Sequence, residues 1–185
     1  MNEQDVITPV KKWLEQLVIG LNLCPFAKQE FIKNRIHFYP SKATTIESLL
    51  VDLQQELERL NADNTIETTL LIHPNMLTDF YDYNDFLDIA DGLLIDMELD
   101  GIYQIASFHP NYQFADTEPD DAENYTNRSP YPLLHLIREN SLEQAVSNYP
   151  NPELIPERNI KLMKKMGHTK LQSLFTSYFD NEDKR

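Results

Sequence analysis

Glycine is scarce in this chain of 185 residues: there are four, Gly20, Gly92, Gly101 and Gly167. None falls where a strand would turn into a helix. That excludes the Gly-rich phosphate loops of P-loop and dinucleotide-binding folds, which need glycine so that backbone can approach the phosphates. Cysteine occurs once, as Cys24, so no internal disulfide can form and no Cys-x-x-Cys exists. His-Glu-x-x-His and Gly-x-Ser-x-Gly are missing as well. Basic side chains are outnumbered, 16 Lys and Arg against 30 Asp and Glu, a formal net charge of −14. Nucleic-acid binders draw much of their affinity from cations meeting phosphates, so no nucleic-acid partner is expected, although a local basic pocket remains compatible. No apolar run approaches the roughly 18 residues needed to cross a bilayer. The start Met-Asn-Glu-Gln-Asp lacks the basic and apolar regions of a signal peptide, and the expectation is a cytoplasmic protein without a membrane partner.

What is present organises itself around two apolar runs that stop at the same dipeptide: Glu67-Thr-Thr-Leu-Leu-Ile-His73-Pro74 and Ile102-Tyr-Gln-Ile-Ala-Ser-Phe-His109-Pro110. Both read as buried strands ended by a proline that cannot donate a ladder hydrogen bond. Between them Asp82 to Leu99 reads as one helix closed by Gly101. Strand, helix and strand in about forty residues match a βαβ unit, whose strands are parallel. Adjacent parallel strands would set both histidines about 4.8 Å apart in strand spacing, at the carboxyl edge where open α/β sheets bind ligands.

The composition, 41% hydrophobic and 10% aromatic, is that of a packed domain. A single domain over 1–185 is expected, with its core at about 8–167 and an amphipathic C-terminal tail at 168–185. Thr8-Pro9 reads as a helix start, with Val10, Trp13, Leu14, Leu17 and Val18 at helical spacing and Gly20 as the stop. Residues 21–34 read as irregular, and Arg35-Ile-His-Phe-Tyr39 as the first strand. Thr44-Thr-Ile-Glu47 reads as a capping box opening a helix to Leu60 with a stripe of Leu49, Leu53, Leu57 and Leu60. Pro110 to Ser129 has no periodicity, yet carries Tyr112, Phe114 and Tyr125. Long loops are functional or disordered, and three aromatics favour an ordered one folded back over the histidine edge. Leu133 to Arg138 reads as a short helix after Ser129-Pro130 or as a fourth strand. A further helix through Tyr149 and one ended by Gly167 complete the chain. The fold class is α/β, with α+β as the alternative: a three- or four-stranded sheet with a parallel βαβ core, flanked by helices.

Five ordered segments, Leu21-Asn-Leu-Cys-Pro-Phe-Ala-Lys28, Thr69-Leu-Leu-Ile-His-Pro74, Asp82-Tyr-Asn-Asp-Phe-Leu-Asp88, Ala106-Ser-Phe-His-Pro110 and Asn124-Tyr-Thr-Asn-Arg-Ser-Pro-Tyr-Pro132, closely resemble a bacterial family catalogued as domain-of-unknown-function family 1415. The resemblance spans roughly Val10 to Gly167 and implies no reaction, cofactor or partner.

The candidate chemistry therefore rests on the residues. Paired His73 and His109 suit general acid and base work near neutral pH, or shared ligation of a divalent metal. The bland reading of a His before Pro is a turn residue bonded to backbone. His37 and His135 lie inside apolar elements and read as satisfied core histidines. Arg128, beside Asn124 and Ser129, offers a planar fork for carboxylate or phosphate, unless it pairs with Asp116, Asp120 or Asp121 of its own loop. Lys42 follows the first strand at the same edge, and Tyr112 follows His109. Lys42, Tyr112, Asn124, Arg128 and Ser129 thus form the expected substrate-binding set. Cys24 should lie at the far edge as a small buried thiol. The function expected is an enzyme acting on a small anionic metabolite through His73 and His109. The alternative is a non-catalytic ligand-binding or protein-interaction module.

Overall fold

The run before His73 forms strand β2 (Thr68–Ile72) and the run before His109 forms β3 (Tyr103–Phe108) in a computed structural model that describes residues 2–180. β1 (Ile36–Pro40) lies parallel to β2, with Ile36 opposite Thr68 and Pro40 opposite Ile72. The fourth strand, β4 (Leu133–Arg138), enters the middle of the sheet, whose order is β1-β2-β4-β3. The parallel βαβ core is consequently β1, helix α3 (Ile46–Ala62) and β2. β4 is antiparallel to both β2 and β3. The strands that lead to His73 and His109 therefore share a direction and an edge but are not neighbours, which corrects the adjacency expected from the sequence. The physical reason is in Leu133-Leu-His-Leu-Ile, which is apolar on both faces. A strand with a sheet partner on each side and a helical layer on each face needs such a run, and a surface helix does not. Leu134 and Leu136 enter one core and Leu133 the other.

One face of the sheet is covered by α3 and α4 (Phe80–Asp96). Thr45 caps α3, its side chain accepting from the Ser48 amide, and Asp79 caps α4 by accepting from the Tyr81 and Asp82 amides. The α3 stripe of Leu49, Leu53, Leu57 and Leu60 and the α4 residues Tyr83, Phe86, Ala90 and Leu94 close over Leu71, Leu134 and Leu136. The other face takes α1 (Glu3–Trp13), continued by a π-helical stretch Leu14–Ile19, together with α6 (Ile155–Met166) and α7 (His168–Ser177). Trp13, Leu17, Met163, Leu171 and Tyr178 pack there with Leu70, Ile72 and Leu133. Each such large side chain, fully buried, favours the folded state by about 1.5–3 kcal/mol.

α1 begins well before Thr8-Pro9, because Asn2 and Asp5 cap each other's backbone amides and Pro9 is accommodated inside the helix. The stretch expected to be irregular contains α2 (Ala27–Ile32), and α5 (Glu139–Ser147) follows β4 directly. Gly167 ends α6 at φ +80°, a backbone conformation that side chains resist. Residues 181–185 of the expected tail lie outside the described residues, while Leu171 of α7 and Tyr178 just after its end belong to the core.

Candidate functional site

His73 and His109 are both buried, at 1% and 0% exposure, and the ring of Tyr83 neighbours both, stacked with His73 and tilted against His109. Its centroid is 5.9 Å from His73 and 5.1 Å from His109. The tautomers follow from the partners. His73 Nδ1 faces the Met76 carbonyl at 3.0 Å and must carry the proton, which leaves Nε2 as a buried lone pair without a partner among the described residues. His109 Nδ1 accepts from the Asn111 amide at 3.0 Å, so Nε2 carries the proton and donates to the Leu77 carbonyl at 3.1 Å. Burial disfavours the charged form of each: it pushes His73 down to about 4 and lowers His109. Both rings thus pin the turn from β2 to α4. That turn holds Leu77 at φ +54°, a conformation rare for a branched side chain. The Tyr83 hydroxyl completes the arrangement, donating to the Leu133 carbonyl and accepting from the Phe108 amide. Burial raises the Tyr83 phenol, keeping it neutral.

The loop after His109 is ordered, and Asn124 is what orders it. This fully buried amide accepts from the Phe114 amide and the Thr117 hydroxyl and donates to the Glu118 carbonyl. Asn124 itself sits in a short 3-10 turn, Ala122–Thr126, which packs on α6 and α7. Arg128 then lies over the Tyr125 ring, its Cζ 4.6 Å from the centroid. Its Nε donates to the Tyr112 carbonyl at 3.2 Å and Nη2 to the Pro119 carbonyl at 2.6 Å. Nη1 has no hydrogen-bond partner among the described residues, and no carboxylate there pairs with this guanidinium. Arg128 lines a cleft of about 640 Å³ between the start of α4, this loop and α7. Phe80, Tyr81, Phe175 and His168 are further walls, with Asp79 and Asp120 also present. His168 Nε2 lies 3.8 Å from an Asp120 carboxylate oxygen. His109 is behind this cleft, its ring 5.4 Å from that of Phe80.

A family model described as protein of unknown function (DUF1415) matches residues 5–173. The chain belongs to that family. No curated protein and no solved structure matches it.

In this DUF1415 chain the expected site residues divide into separate environments. Lys42 is remote from Arg128: it pairs with Glu3 at 2.9 Å and lines a second cleft, of about 480 Å³, beside β1. Ser129 is buried and donates to the Tyr131 carbonyl. Tyr112 packs its ring between Phe80 and Phe114 and supplies only its carbonyl to Arg128. His37 faces the buried carboxylate of Glu56 at 3.3 Å, and Glu56 also accepts from Arg59 at 3.0 Å. His135 is held by Thr68, at 2.7 Å, and burial pushes it down to about 4. Cys24 packs against the α1 side of the core, and burial pushes its thiol up. Among the described residues no group of three or more His, Cys, Asp or Glu side chains is disposed to hold a metal ion, and no helix is long and apolar enough to cross a membrane. Sequence reasoning missed Tyr83 and His168. Tyr83 falls on the buried face of α4 by its spacing from Phe86 and Ala90, a signal that marked it as core without revealing its polar partners. His168, following Gly167, carried no signal at all.

Proposed function

We propose that this protein binds a small anionic ligand, a carboxylate or a phosphate, in the cleft at Arg128. The observation that carries this reading is a guanidinium held in place whose Nη1 has no hydrogen-bond partner among the described residues. Two carbonyls and the face of Tyr125 hold Arg128 in one orientation, no carboxylate among the described residues neutralises it, and its side chain lines a cavity of about 640 Å³. A preoriented fork gives up little conformational freedom when an anion arrives. The size lies within the usual range for small-molecule sites.

His73 and His109 serve this reading as supports. By holding the Met76 and Leu77 carbonyls they fix the turn that sets the start of α4, one wall of the cleft. The enzymatic reading, with these histidines as acid and base or as ligands of a divalent metal, has weaker geometric support. Both rings are buried, and three of their four nitrogens are already engaged with backbone.

Titration calorimetry with inorganic phosphate and with acetate tests the proposal. Wild type should bind at least one of them, and Arg128→Lys should weaken that binding about tenfold or more, since the ammonium lacks the planar fork. Melting curves would verify that the variant is folded. Binding by neither anion, or equal binding by wild type and variant, would overturn the reading.

A further inference from the structure

The walls of the Arg128 cleft specify more of the ligand than its charge, and this step rests on the anion-binding reading. Phe80 and Tyr81, at the start of α4, contribute rings with centroids 6.2 Å apart. Tyr125 and Phe175 contribute another pair, edge to face at 6.0 Å. Of these, Tyr81 is 75% exposed, an unusual position for a large ring beside a concavity, and its hydroxyl has no hydrogen-bond partner among the described residues. Such a ring gains contact only when something flat covers it. The cationic group itself lies over an aromatic face, that of Tyr125, and shares the cleft with the rings of Phe80, Tyr81 and Phe175.

We propose that the ligand joins its anionic group to a planar ring: an aromatic carboxylate, or a phosphate monoester of a ring-bearing alcohol. The anion meets Arg128 Nη1, and the ring lies against Tyr81 and Phe80, the pair of rings at the start of α4. Ring faces and edges carry opposite partial charge, so a flat π system is favoured there over a saturated group of the same size.

The test uses the full chain and two matched sets of probes: benzoate, cyclohexanecarboxylate and acetate, then phenyl phosphate, cyclohexyl phosphate and inorganic phosphate. In at least one set the aromatic member should bind about tenfold tighter than its small acyclic or inorganic counterpart, and measurably tighter than the cyclohexyl analogue. Tyr81→Ala, a change at an exposed side chain that leaves the core intact, should erase the aromatic preference while the small anion still binds. Arg128→Lys should weaken all members together. If small anions bind but the aromatic and cyclohexyl probes are equal in both sets, or Tyr81→Ala changes nothing, the ring assignment is wrong and the anion site stands. If no probe binds, both fail.

Discussion

Acidification should destabilise this protein by charging two histidines, the buried His73 and the half-buried His135. His73 and His135 have ordinary values near 6.5 in an unfolded chain, and burial pushes both to about 4 when folded. Between those values the unfolded chain binds a proton at each site and the folded chain does not. Stability therefore falls as pH falls, with the full contribution present above 6.5 and the loss complete below about 4. At 1.36 kcal/mol per unit, each histidine removes about 2 kcal/mol at pH 5 and about 3 kcal/mol at pH 4. Together they amount to about 6 kcal/mol at pH 4, a large share of the ~5–15 kcal/mol typical of a whole domain. Relief of the −14 net charge acts in the opposite direction, so the informative quantity is the difference between wild type and variants. His73→Asn keeps a donor for the Met76 carbonyl, and His135→Gln keeps one for Thr68. Urea titrations of wild type and each variant at pH 7, 6, 5 and 4 would measure the effect. Each variant should lose less stability on acidification than wild type, by about 3 kcal/mol at pH 4. Parallel pH profiles in all three proteins would refute the reasoning.

Three further outcomes are expected. Asn124→Ala should cost about 2–3 kcal/mol and accelerate hydrogen exchange at Phe114, because a buried amide that held three partners leaves them unsatisfied; unchanged exchange there would contradict its ordering role. Arg138 donates to the carbonyls of Leu60, Asp63 and Ile66 and to the Tyr103 hydroxyl, so Arg138→Lys should lose about 2–4 kcal/mol in chemical denaturation despite the retained charge, and a loss under about 0.5 kcal/mol would argue against it. Cys24, with its thiol raised by burial, should react with a disulfide reagent at pH 7.5 at least about a hundredfold more slowly in native protein than in urea, and equal rates would remove it from the core.

The sequence carried the histidine edge well because direction along a strand follows from chain order: two runs separated by one helix point the same way whatever lies between them. It could not carry adjacency. Leu133–Arg138 is as compatible with a short buried helix as with a strand when periodicity alone decides, and its insertion between β2 and β3 depends on contacts made elsewhere in the chain. The stripe of α3 was legible since four leucines recur on one face, and the start of α1 was obscured because Pro9 resembles a first-turn residue. At the site, Arg128 and Asn124 read alike as polar loop residues near an edge. The distinction between an amide turned inward onto Glu118 and a guanidinium with one free edge is made by the fold of the loop, and no spacing rule encodes it. Lys42 was grouped with them because it too follows a strand toward that edge, but β1 is the far edge strand and its lysine opens onto a different cleft.

β3 and β4 are consecutive strands and antiparallel neighbours, with Phe108 opposite Leu133 as the last pair before they part. In topological terms they are one β-hairpin whose tip has been opened to admit residues 109–132. The Tyr83 hydroxyl sits at the mouth, bonded to one backbone group on each side, and works as a stop on the zipper. Everything that shapes the Arg128 cleft on the loop side hangs from that single gap. Changes in loop length alter closure entropy by only about 0.6 kcal/mol per doubling. Recognition in this architecture is consequently adjustable at the tip of a hairpin while the register of the sheet beneath it stays fixed.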